Sequence, residues 1–108
     1  MNVTYENQQI EKLCNRKEEM EKFFSHDKTL VDNLQTLMGL FDVFKNINEF
    51  YKPYLRGYNL EKVEGTENKY SIRIIPKMRK SSYRMYLEPS EKGVKITIIK
   101  IDKHTYKL

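Results

Sequence analysis

Arg73, Arg84 and Tyr86 fall in two short β-branched and aromatic runs, KYSIRII (69–75) and SYRMYLEP (82–89), and His104 and Tyr106 follow a third, VKITIIKI (94–101). Strand alternation sends Tyr83, Met85 and Leu87 to one side and Ser82, Arg84, Tyr86 and Glu88 to the other; in the first run it separates Ile72 and Ile74 from Ser71, Arg73 and Ile75. An open sheet face bearing Arg73, Arg84 and Tyr86, bordered by Lys77, Arg79 and Lys80 in the loop PKMRKS and by His104 and Tyr106, suits a phosphodiester. Cleavage of RNA by its own 2′-hydroxyl needs a base for that proton, an acid for the departing 5′-oxygen, and cations to stabilise the charge gathering on phosphorus. Histidine and tyrosine transfer protons, and arginine offers a planar fork to phosphate oxygens. Each side chain also has an ordinary structural role: Arg84 as a surface partner of Glu88, the tyrosines as sheet-filling aromatics, His104 as an exposed residue near the end.

No cofactor is called for, and no metal. The single cysteine, Cys14, stands far from His26 and His104, and Asp102 and His104 alternate with no third ligand in view. Cys14 reads as a small buried hydrophobe rather than a nucleophile.

Charge points to the same half of the chain. Residues 1–50 hold six Lys/Arg against nine Asp/Glu, whereas residues 51–108 hold fourteen against six, within an overall formal charge of +5. A basic second half raises the local concentration of polyphosphate partners, and a solvated lysine-rich surface would have the same composition.

The elements that must position these residues follow from periodicity. Ile10, Leu13, Met20, Phe23 and Phe24 recur at near-helical spacing, as in an amphipathic helix that is interrupted or weakly packed around Arg16-Lys17. Ser25 and Asp27 are good N-caps for a second helix, in which Leu30, Leu34, Leu37, Phe41 and Phe44 recur at steps of four and three. The spacing predicts a helical hairpin over about 7–46, a connection at 47–58 broken by Pro53 and Gly57, and a sheet over 59–106 that starts with a short strand near 59–63. VKITIIKI is apolar at both parities, as in a central strand. The expected fold is one α+β domain over 1–108, with two N-terminal helices on one face of a small, mainly antiparallel sheet of three to four strands. The longest apolar runs are too short to span a bilayer, so no membrane partner is expected, and MNVTYENQQI lacks the features of a secretory signal; the expected compartment is the cytoplasm.

The order IEKLC, helical hairpin, LEKVEG, KYSIRI, SYRMYL and ITIIKIDKHTY resembles the RelE/ParE superfamily of bacterial toxins, and within it the HigB-like plasmid maintenance killer group. The resemblance covers nearly the whole chain and rests on weak motifs in a shared order. It implies a RelE-like fold and a type II toxin that cleaves messenger RNA in the ribosomal A site, held inactive by a HigA-like helix-turn-helix antitoxin, with operator DNA met only through that complex. By position, Arg73 is similar to the phosphate-contacting arginine of the S-I-R strand, Arg84 to the arginine that stabilises the transition state, and His104 or Tyr106 to the C-terminal proton-transfer residue. Where such toxins often carry His and Lys, LEKVEG places Glu61 and Glu64, with Lys62 out of register, so the general base stays open between substitutes such as Lys62 and Lys80. Lys62, Lys77, Arg79, Lys80, Tyr86, Lys95 and Lys103 are the expected RNA contacts. Two alternatives stand beside the ribonuclease: a ParE-like toxin directed at gyrase, and a non-catalytic RNA-binding module.

Overall fold

Where the helical spacing falters at Arg16, the helix breaks. The computed structural model describes residues 1–77 and 83–103. In it α1 (Gln8–Asn15) and α2 (Lys17–Phe23) are separated by Arg16 in an extended conformation (φ −120°, ψ 119°). Asn7 caps α1 by accepting from the Ile10 amide at 3.0 Å, and Glu18 and Glu19 place negative charge at the start of α2, where the helix dipole favours it. Ser25 and His26 then turn the chain with positive φ (53° and 62°), and Asp27 accepts from the Leu30 amide at 3.2 Å to start α3 (Lys28–Val43). Of the two expected caps, Asp27 does the capping and Ser25 makes the turn. The expected two-helix hairpin therefore has its first arm divided in two.

α3 buries Val31, Leu34, Leu37 and Phe41 along one stripe. After it come two 3-10 turns, Ile47–Tyr51 and Pro53–Tyr58. Phe50 lies edge-on to Phe41, Phe44 and Tyr58, with ring centroids 5.7, 5.3 and 5.5 Å away, which fastens the connection to the helices.

The strands are β1 (Asn2–Tyr5), β2 (Glu61–Lys62), β3 (Tyr70–Arg73), β4 (Tyr83–Ser90) and β5 (Lys95–Lys103), in the order β1-β5-β4-β3-β2. The fold is α+β, as expected, but the sheet has five strands and is mixed, because β1 runs parallel to β5 while the other pairs are antiparallel. Four residues, NVTY, carry too little alternation to announce a strand. β5 recruits them: Val3 and Tyr5 stand opposite Ile96 and Ile98, and Thr4 Oγ1 lies 2.8 Å from Thr97 Oγ1. The Met1 nitrogen donates to the carbonyls of Phe41 (3.2 Å) and Phe44, tying β1 to the end of α3.

Ile96, Ile98 and Ile101 join Ile72, Ile74, Met85 and Leu87 in the same core as the helix residues. Three isoleucines of mixed parity reach one face because the register slips between Tyr86, opposite Lys100, and Leu87, opposite Ile98, which leaves Ile99 as an extra residue. The apolar run of β5 thus reflects a bulge, not burial on both sides.

Candidate anion-binding site

The other side of the sheet is polar. Register places Arg73 directly opposite Arg84, Ser71 opposite Tyr86, Arg84 opposite Asp102, and Tyr86 opposite Lys100. Two guanidinium groups across a strand pair repel unless one turns away. Arg84 turns toward β2: its Nε donates to Ser71 Oγ at 2.8 Å, and its Nη2 donates to Asn59 O at 2.6 Å and to Ser71 O at 3.0 Å. Glu61 Oε1 lies 3.7 Å from the same Nη2. Asn59, in the left-handed region (φ 48°, ψ 57°), is the C-cap of the Pro53–Tyr58 turn, a conformation asparagine tolerates better than most residues.

Arg84 is therefore 2% exposed, and the face expected to be open is closed at this position. A buried guanidinium is costly unless its donors are answered, and here carbonyl, hydroxyl and carboxylate oxygens surround it. Glu61, which displaced an expected basic residue in the sequence, is one of those partners.

Arg73 is half-buried, and the hydrogen bond it makes among the described residues is a long one, from Nη1 to Gly57 O at 3.4 Å. The same carbonyl accepts from the Lys77 amide at 2.8 Å. The fit at Gly57 is close: a Cβ there would lie 2.9 Å from Lys77 Cγ and 3.3 Å from Pro76 Cβ, so the Lys77 side chain would have to shift. This close packing brings the 53–58 turn, with exposed Tyr54 and Arg56, against the end of β3 and the exposed Lys77. Next along the face, the Lys100 ammonium sits 5.0 Å over the Tyr86 ring and 3.9 Å from Asp102.

Arg73, Arg84, Tyr86 and Lys95 share this face, with Lys95 at its far end opposite Ser90 and Asn2, and Lys77 reaches it through Gly57. Lys62 and Lys103 do not join it. They stand opposite Tyr70 and Tyr83, on the helix side, where the Lys103 ammonium lies 5.8 Å over the Tyr83 ring. Arg79, Lys80, His104 and Tyr106 lie outside the described residues. Sequence reasoning missed Lys100, whose place depends on the bulge, and Arg56 and Asn59, which sit in the connection; the lone signal for the latter pair was Gly57.

This arrangement of cations could hold an anion. Among the described residues Arg73 presents a guanidinium tethered by one long bond, a planar fork suited to phosphate oxygens, and Arg56 and Lys77 are exposed cations on the segments that meet at Gly57. Cys14 plays no part: it is buried, and desolvation pushes its thiol up to about 12, which keeps it neutral. Among the described residues, no group of three or more His, Cys, Asp and Glu could hold a metal ion, and no helix is long and apolar enough to cross a membrane.

Comparison with protein-family models, curated proteins and solved structures found no match to this chain.

Proposed function

We propose that this chain is a ribosome-dependent endoribonuclease, the toxin of a HigB-like type II module with a RelE-like fold, working in the cytoplasm on messenger RNA and held in check by a helix-turn-helix antitoxin. The observation that carries the reading is the register pair Arg73 and Arg84 on one polar face, with Arg84 buried and fixed and Arg73 left half-exposed beside it. In this scheme Arg73 takes the non-bridging oxygens of the scissile phosphate. The RNA 2′-hydroxyl attacks phosphorus and the bond to the 5′-oxygen breaks, leaving a cyclic phosphate and a free 5′-hydroxyl; His104 and Tyr106, assigned by the resemblance and not by geometry, move the two protons. Arg84 is a positioning residue: it holds Ser71 and Asn59 together, and so keeps β3 and the 53–59 connection in place behind Arg73. A metal ion has no part in these steps, since cations, a base and an acid meet the reaction's needs.

One observation favours a second reading, a non-catalytic RNA-binding module. Arg84, the arginine expected to meet the transition state, already gives its Nε and Nη2 donors to protein oxygens. Mapping new messenger 5′ ends in a cell-free translation reaction separates the two. Wild type should give cuts only while ribosomes translate, and Arg73→Ala and His104→Ala should abolish them in folded protein. RNA binding by a folded wild type that leaves no new ends, with or without ribosomes, would favour the module and remove the nuclease.

A further inference from the structure

β1 is shorter than the strand it covers. It ends at Tyr5 opposite Ile98, Glu6 donates to Ile98 O at 2.9 Å, and α1 starts at Gln8. From Ile99 to Lys103, β5 keeps β4 on one side and has no strand on the other among the described residues. Beside this bare edge is a groove of about 410 Å³ whose apolar walls are Ile10, Leu13, Phe23, Ile99 and Ile101. Phe23, at 41% exposure, is one of the large hydrophobic side chains left in solvent. An unpaired edge next to an apolar pocket is the arrangement that strand addition uses: backbone hydrogen bonds supply affinity, and alternate side chains enter the pocket.

We infer that the Ile99–Lys103 edge of β5 is a docking site for an extended peptide of alternating apolar and acidic residues. The five residues span roughly 17 Å at the rise of a β-strand, room for a strand of about five residues. Lys22, Lys100 and Glu19 line the groove, and β5 ends in Asp102, which lies 3.9 Å from Lys100, and Lys103. Three cations against two carboxylates favour carboxylates on the incoming strand. A second copy is the poorer occupant, because it would bring together two chains each of formal charge +5. The inference does not rest on the nuclease reading: the groove's apolar walls are on the helix side, and Lys100, which also lies over Tyr86, borders both faces.

The test uses the full chain, isotope-labelled, and a capped heptapeptide of sequence Glu-Val-Glu-Leu-Glu-Val-Glu, followed by amide chemical shifts. Shifts should concentrate on residues 99–103 and around Leu13 and Phe23, and Lys22→Glu with Lys100→Glu should weaken binding about tenfold. Two further peptides carry N-methyl groups on either the odd or the even residues. A strand turns alternate N–H groups toward its neighbour, so one pattern should bind about tenfold more weakly than the other. Equal binding of the two methylated peptides, shifts centred on Arg73 and Arg56, absence of binding at millimolar peptide, or concentration-dependent self-association through β5 would each overturn the proposal.

Discussion

On the helix side of the sheet, Ile72, Met85, Leu87 and Ile98 are wholly buried and ask only for neighbours of the right shape. On the opposite side Arg84 is 2% exposed and asks for something else, oxygens in set directions for its Nε and Nη2 donors. Apolar burial is stabilising and forgiving, since similar volumes substitute at modest cost. Polar burial is specific: it contributes little net stability when complete but is costly when broken, because the abandoned groups have no water to turn to. The apolar face accordingly holds the domain together, and the polar face decides where Asn59, Ser71 and the 53–59 connection sit relative to Arg73.

Removing a side chain from each face is the most direct way to break this contrast. Phe41→Ala, deep on the apolar side, should lower unfolding stability by about 3–5 kcal/mol, read from chemical denaturation. Arg84→Ala should cost about 2–3 kcal/mol by the same measurement, through orphaned acceptors at Ser71 and Asn59 and not through a cavity alone. If Arg84→Ala were as mild as a surface change, the buried network would not be holding the connection in place. Arg73→Gln should leave stability within about 0.5 kcal/mol of wild type while weakening single-stranded RNA binding and reducing its slope against log salt by about 0.7, as should Arg56→Gln, by fluorescence anisotropy over a salt series.

The smallest effect belongs to a pair at the surface. Glu49 Oε1 accepts from Lys52 Nζ at 3.2 Å and its Oε2 from the Lys45 amide at 2.8 Å, and the Lys52 bond, then the Lys45 bond, hold its carboxyl below the usual carboxylate value. A lowered folded pKa means stability that is present above the unfolded value and fades as pH falls through the folded one. Glu49→Gln should therefore melt slightly lower than wild type at neutral pH, with the gap closing in acid. A gap that widened in acid would reverse the assignment. Beside Arg84, this pair shows how little an ionic contact contributes when water competes for it.

Much of the fold was legible because it depends on local periodicity. The steps of four and three from Leu30 to Phe41 describe the buried stripe of α3, the faltering at Arg16 marks a real break, and Asp27 caps where its side chain permits. The runs at 69–75, 82–89 and 94–101 contain or overlap β3, β4 and β5. β1 was not legible, since four residues become a strand only when β5 offers an edge. The candidate site was legible in part. Alternation put Arg73, Arg84 and Tyr86 on one face, but not the depth of Arg84, nor the helix-side positions of Lys62 and Lys103.

What the sequence determined by itself is the set of elements and the side of each strand that is apolar, because hydrophobic spacing and capping act over a few residues. What only the tertiary structure decided is which charges meet. The slip between Tyr86 and Leu87 brings Lys100 over Tyr86, the left-handed Asn59 is the element whose carbonyl meets Arg84, and the close fit at Gly57 binds Arg73 to Lys77. Each depends on register or on approach between segments far apart in the chain, and a polar contact fails over an ångström that a hydrophobic pattern does not notice.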